Sequence, residues 1–239
     1  MRYVFGNWKM NGTLAFAKEY VDKLLELVRP ASVQVALFPP FTALGGFSDF
    51  VKGTFLKFGA QNMHYEDSGA FTGEISPVML KEFDVDYVLI GHSERRHIFL
   101  ENDEMLMKKV EAAHRHDIPV VFCVGETLEE RRSGITRDIL KRQLILVQDI
   151  LSTGDIVAYE PVWAIGTGVT PTMEEIGESI SWVKELLKAE LPVLYGGSVN
   201  KGNAADIARV SEVDGVLVGG ASLKVEEFAI IIEAFDQNI

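Results

Sequence analysis

The chain has 239 residues, 47% hydrophobic and 24% charged, with a formal net charge of −12 and a single cysteine. That acidity excludes nucleic acid and anionic membrane surfaces as partners, because their phosphates must be met by a positive face, and no apolar run approaches the roughly 18 residues of a membrane span. A lone Cys123 excludes an intrachain disulfide and fits a reducing compartment, with cytoplasm as the expectation; the opening MRYVFGNWKM carries no recognisable targeting segment.

Short apolar runs alternate with amphipathic segments from end to end. In chain order the predicted strands cover residues 3–5, 33–38, 55–60, 87–90, 120–124, 156–159, 193–195 and 216–218. Most are continuous apolar runs, as parallel strands covered on both faces require. Helical periodicity follows over 17–28, where Val21, Leu24, Leu25 and Val28 share one face, and again over 104–116, 137–151, 173–187, 204–210 and 225–235. Eight strand–helix units predict an α/β fold, a (β/α)8 TIM barrel of eight parallel strands ringed by eight helices, whose working face is the carboxyl end of the strands. Two connections are long, residues 61–77 and the loop after Glu160. No linker, charge block or low-complexity tract interrupts the chain, so residues 1–239 are expected to form a single domain.

The candidate chemistry sits at the strand ends. The first strand runs into FGNWKMNG, placing Asn7 and Lys9 just past it, the lysine as a positive charge over the mouth. The fourth ends in LIGHSERR, where a glycine turns the chain into a short helix beginning at His92. A helix N-terminus disfavours imidazolium, so this ring is expected to stay neutral and donate a hydrogen bond. The fifth ends in CVGETLEERRSG, where Glu126 is a candidate acceptor for the Trp163 indole N–H. Cys123 has no Cys or His at metal-ligand spacing and reads as a packed thiol.

The sixth strand runs into YEPVWAIGTG. Glu160 ends an apolar run, Pro161 and Trp163 form a stiff hinge, and Gly166, Thr167 and Gly168 form a loop tip: a carboxylate base beneath a lid. The seventh and eighth strands end in YGGSVNKGNA and LVGGASLK. Gly196, Gly197 and Ser198, with Gly219 and Gly220, would aim N–H groups at a phosphate. Neither a P-loop lysine nor a G-x-G-x-x-G opening is present, which points to a monophosphate ester rather than a nucleotide. A Schiff-base lyase on the same barrel would need a lysine in the buried middle of a strand, and none of the predicted strands has one.

NWK, GHSERR, CVGET, YEPVWAIGTG, YGGSV and LVGGASLK stand in this order along the whole chain, which thereby resembles the triosephosphate isomerase family. The resemblance implies interconversion of D-glyceraldehyde 3-phosphate and dihydroxyacetone phosphate by proton transfer through an enediol(ate), in glycolysis and gluconeogenesis, with no cofactor and no metal. It implies Glu160 as the catalytic base, His92 as the electrophile, Asn7 and Lys9 as substrate-orienting groups, and Glu94 as the supporting carboxylate behind the histidine. A base carboxylate and a neutral histidine under a closing loop are the family's known arrangement. Phosphate binding falls on Gly166, Ser198, Gly219 and Gly220, and the lid hinge on Pro161, Val162 and Trp163. The loop ending GAFTGE resembles the family's dimer loop, which implies a homodimer with Thr72 reaching the partner's site and Glu74 pairing with Arg95 across the interface. One departure stands out: after Gly168 the chain reads VTP, two residues fewer than the family usually has before the proline that opens the next helix. A hinge so shortened would close less completely, leaving a weakened or non-catalytic phosphate-binding homologue as the alternative reading.

Overall fold

The computed structural model describes residues 1–165 and 170–237. Eight strands, β1 (Arg2–Asn7), β2 (Val33–Phe38), β3 (Lys57–Ala60), β4 (Tyr87–Ile90), β5 (Val120–Val124), β6 (Ile156–Tyr159), β7 (Val193–Tyr195) and β8 (Gly215–Val218), pair in parallel in chain order, and β8 returns to β1 to close a barrel. Val4 stands opposite Val35 on one side and Val216 on the other, which fixes the closing register.

Closure explains the unbroken apolar runs, because each strand serves two cores. Phe5, Phe38, Leu89, Val121, Ile156, Leu194 and Leu217 point inward and fill the barrel together with Cys123 and Ala158. Their neighbours, among them Val4, Val35, Val120, Val157 and Val216, point outward into a larger core beneath the helices. Each fully buried side chain of this size contributes about 1.5–3 kcal/mol.

The ring around the barrel holds ten α-helices among the described residues, not the eight expected: α1 (Leu14–Leu27), α2 (Phe41–Val51), α3 (Pro77–Lys81), α4 (Ser93–His97), α5 (Asp103–Arg115), α6 (Leu128–Arg132), α7 (Thr136–Leu144), α8 (Met173–Leu186), α9 (Ala204–Ala208) and α10 (Val225–Gln237). The two additional ones, α4 and α6, precede the main helices after β4 and β5. Each is started by its own cap, His92 for α4 and a Thr127–Glu130 capping box for α6. None of the described helices is long and apolar enough to cross a membrane.

Some boundaries differ from the sequence reading for local reasons. β3 starts at Lys57 because Thr54 Oγ1 takes the Leu56 N–H and keeps the preceding residues in a turn. α7 stops at Leu144, after which turn hydrogen bonds to the carbonyls of Leu144 and Val147 keep Val147 and Leu151 buried without a continuous helix.

The shortened hinge is corrected by the start of α8. Pro171 does not open that helix: Thr172 is its N-cap, in a capping box with Glu175, and Met173 is its first residue. Pro171 and Thr172 therefore belong to the segment between Gly168 and the helix. They make up the two residues counted as missing, and the reason for expecting a loosely closing lid falls away.

At the amino-terminal end of the barrel, α5 is tied to the sheet through His114, whose Nε2 lies 2.9 Å from Asp155 Oδ2. Asp155 is buried and also accepts the N–H groups of Val120 and Ser152, both at 2.8 Å. Its hydrogen bond to His114 raises the imidazole pKa above 6.5, against the opposing effect of burial. A raised folded-state pKa means that the stabilisation is complete below the unfolded-state value and is lost as pH rises through the folded one. His114→Asn should therefore cost about 1 kcal/mol at pH 5.5, the modest figure reflecting a partly exposed ring. At pH 9 the cost should be smaller, and urea unfolding of both proteins at the two pH values measures the difference.

Candidate active site

A strand turns every second side chain to the same face. Phe5 and Ala158 line the barrel interior, so the same parity carries Asn7 and Glu160 over its open carboxyl end. At equivalent places on other strands stand residues without side chains, Gly91 after Leu89, Gly125 after Cys123, Gly196 after Leu194 and Gly219 after Leu217. The result is a cavity of about 490 Å3 whose wall includes Asn7, Lys9, His92, Glu160, Ser198, Gly219 and Gly220. A depression of about 520 Å3 at the opposite end of the barrel is lined by no histidine, and its Lys184 is already paired with Asp214 at 2.8 Å. Of these two, the first gathers a histidine, a carboxylate and a lysine.

The chain turns at Gly91 so that His92 becomes the N-cap of α4, its Nδ1 accepting the Glu94 N–H at 3.2 Å. A backbone N–H can only donate, so Nδ1 is the bare nitrogen and the ring proton sits on Nε2. That Nε2 lies 3.2 Å from Glu160 Oε1, while Glu160 Oε2 accepts the Ser93 N–H at 2.9 Å. Both residues are buried, Glu160 at 2% and His92 at 6% exposure.

Lys9 stands in the left-handed region at φ 52°, a conformation that costs an L-residue roughly 1–2 kcal/mol. Three hydrogen bonds hold the segment there. Asn7 Oδ1 accepts the Lys9 N–H at 2.9 Å, and Gln61 Nε2 donates to the carbonyls of Lys9 and Phe38, both at 2.8 Å. The ammonium pairs with Glu94 Oε1 at 2.7 Å. Strain stored at a functional position in this way persists only when its surroundings over-determine it.

On the far wall, the Ser198 carbonyl is held by Asn203 Nδ2 at 2.9 Å. Gly219 and Gly220 open the short 3-10 turn Gly220–Leu223, which Ser222 closes on the Gly219 carbonyl through its N–H at 2.9 Å and its hydroxyl at 2.7 Å. The N–H groups of Gly220 and Ala221 have no partner inside that turn, and both residues line the cavity. Lys224, at the end of the turn, adds a second lysine to the wall.

The hinge residues Pro161, Val162 and Trp163 lead from Glu160 into the 3-10 turn Val162–Ala164. The Val162 N–H bonds to the Glu126 carbonyl at 3.0 Å, and the Trp163 indole N–H to Glu126 Oε1 at 3.0 Å. Burial pushes the Glu126 carboxyl above its ordinary value, while hydrogen bonds from Trp163 and Tyr159 and the charge of Arg131 oppose that shift. Gly166, expected to contact phosphate, lies outside the described residues, as do Thr167 and Gly168.

Gly125 permits the closest backbone approach in the site. A Cβ there would fall 1.8 Å from the Glu160 carbonyl oxygen. Gly125→Ala should separate the ends of β5 and β6, cost about 3 kcal/mol and shift Glu160. Thermal unfolding should reveal the loss, and a variant as stable as the parent would show that the strand ends yield without cost.

Thr72 and Glu74 stand on an exposed loop with Phe71. Within its own chain Arg95 is bound to Glu101 Oε1 through Nε at 2.9 Å and NH2 at 2.6 Å, and buried Lys109 reaches the same oxygen at 2.7 Å. Residues that the sequence reading passed over are Gln61, Lys224 and Arg96. Arg96 was visible in GHSERR, but nothing local distinguishes it from the adjacent Arg95.

The family model of triosephosphate isomerase matches residues 2–235. The triosephosphate isomerase of Clostridium botulinum (strain ATCC 19397 / Type A) is 45% identical over 96% of this chain and 97% of its own length. That of Clostridium tetani (strain Massachusetts / E88) is 42% identical over 96% and 94%, and that of Clostridium perfringens (strain SM101 / Type A) is 43% identical over 96% and 97%. With a carboxylate and a neutral imidazole meeting at the barrel mouth, and relatives of this similarity along almost its whole length, the chain belongs to the triosephosphate isomerase family.

Proposed function

We propose that the chain, folded as one domain, interconverts D-glyceraldehyde 3-phosphate and dihydroxyacetone phosphate. The observation that carries this reading is the meeting of Glu160 with the protonated Nε2 of His92 at 3.2 Å, in a cavity that also holds Lys9 and the Gly219–Gly220 turn.

The substrate phosphate binds the N–H groups at Gly220 and Ala221 and the Ser198 region, a preformed anion site at the start of a turn. Glu160 takes the proton from the carbon beside the carbonyl, and the electron pair moves onto the carbonyl oxygen. His92 Nε2–H and the Lys9 ammonium, oriented with help from Asn7, stabilise that oxygen. Glu160 then returns the proton to the neighbouring carbon while the hydroxyl on the first carbon gives up its proton to become the new carbonyl and the former carbonyl oxygen gains one, His92 Nε2 serving as donor and acceptor between the two oxygens, so no cofactor is required. At rest both Glu160 oxygens are engaged, one by Ser93 N–H and one by His92. The carboxylate must therefore leave Ser93 to act, and closure of the segment hinged at 161–163 over the substrate would exclude water as it does so.

We also assign the protein to the cytoplasm and to a homodimer. Ile98, Phe99 and Leu100 expose apolar side chains in sequence, and a second cavity of about 220 Å3, walled by Phe99, Met10 and Asn62, opens onto Asn7, Lys9 and His92. Such a surface beside the site suits a partner's loop bearing Thr72, with Glu74 directed at Arg95. The test is conversion of glyceraldehyde 3-phosphate by purified protein, with sedimentation to give its size. Absence of conversion would refute the isomerase reading, and a monomer of full activity the dimeric one.

A further inference from the structure

We propose that Arg96 is a positioning residue for the isomerisation, fixing the peptides on both sides of His92 and so the place of its ring against Glu160. This rests on the isomerase reading above. The β4–β5 ladder ends at the pair Ile90 and Phe122. Beyond it the two strand ends are joined through the Arg96 guanidinium, which donates from Nε to the Gly91 carbonyl at 2.8 Å and from NH2 to the Cys123 carbonyl at 3.0 Å. The backbone N–H of the same residue bonds to the His92 carbonyl at 3.2 Å. One side chain and its own N–H thus hold the peptide before His92 and the peptide after it.

The surroundings are shaped for this cation. Its outer nitrogen NH1 pairs with Asp103 at 2.6 Å, it stands over the Phe122 ring at 5.5 Å, and its side chain is 8% exposed. Gly91 adopts φ +78°, and a Cβ there would lie 3.0 Å from Arg96 NH2 and 3.1 Å from the Cys123 carbonyl, so the turn leaves the space that the guanidinium uses. Lysine cannot replace it, because a single ammonium does not span two carbonyls in the fixed fork of a guanidinium.

The experiment compares the parent with Arg96→Lys and Asp103→Asn, measuring kcat, KM and the 15N spectrum of the histidine ring nitrogens. Arg96→Lys should lower kcat about 10- to 100-fold, the scale of a displacement of about 1 Å at a reacting group, with KM within about threefold. The His92 signals should lose the pattern of a single Nε2–H tautomer. A folded Arg96→Lys protein with parental kcat and parental His92 signals would overturn the proposal. Should that variant not fold, Asp103→Asn loosens the outer anchor of Arg96, together with a 4.0 Å contact to Arg142, and should still lower kcat several-fold; parental kcat there would overturn the proposal equally. Failure of the isomerase reading is separable, since the parent itself would then convert no substrate while the tautomer change remained visible.

Discussion

Glu160→Gln is expected to lower kcat by about three orders of magnitude while leaving the barrel intact, the scale associated with loss of a positioned general base. The amide matches the carboxylate in shape but accepts no proton at neutral pH. It also disturbs the resting state in a defined way. Both carboxylate oxygens face donors, the Ser93 N–H at 2.9 Å and His92 Nε2 at 3.2 Å, so whichever way the amide turns, its NH2 meets one of them. That mismatch should cost about 1–2 kcal/mol of stability, which the extensive barrel core tolerates. Steady-state kinetics and thermal unfolding of the same preparation separate the two effects. A variant retaining more than a tenth of parental kcat would remove Glu160 from the role of base.

Lys9→Met is the second large effect, and it should appear in both kcat and KM. Removing the charge that stabilises the developing oxyanion costs about 10²–10³ in kcat, and loss of a cation from the wall of an anion site weakens substrate binding as well. Methionine at φ 52° keeps the left-handed strain of the parent and, through Gln61 and Asn7, the same three hydrogen bonds, so a change in activity reports the ammonium. Glu94 loses its 2.7 Å partner, and Lys9→Met/Glu94→Gln controls for that: similar kinetics in the single and double variants would locate the defect at the substrate. A change confined to KM and below tenfold would reduce Lys9 to a surface charge.

These two residues, with Asn7, His92 and the glycine pairs, were legible because the signals that mark them are local. An apolar run announces a strand, a glycine or proline marks where it ends, and in a barrel the residue just past that end stands at the mouth. The period of two along each strand then turns Asn7 and Glu160 the same way as Phe5 and Ala158. Helix capping was less legible. Thr172 and Glu175 form a capping box, yet the proline before them is the stronger punctuation mark in a linear reading, and it suggested a hinge too short by two residues. The short helix after Gly91 was announced by its turn and appears as α4, whereas α6 was hidden for a related reason: five residues long, it is too short to show a period.

What the sequence by itself determined is the alternation of strand and helix, the parallel barrel that follows from it, and the identity of the groups delivered to its mouth. Each of these depends on residues close together in the chain. The tertiary structure alone decided which of two adjacent arginines turns inward, that Gln61 braces the strained backbone of Lys9 from 52 positions away, and that Glu160 rests on the N–H of Ser93, 67 positions earlier. The physical reason is that such contacts exist only once the barrel closes. Closure sets the distances between strand ends, and no run of neighbouring residues encodes those distances.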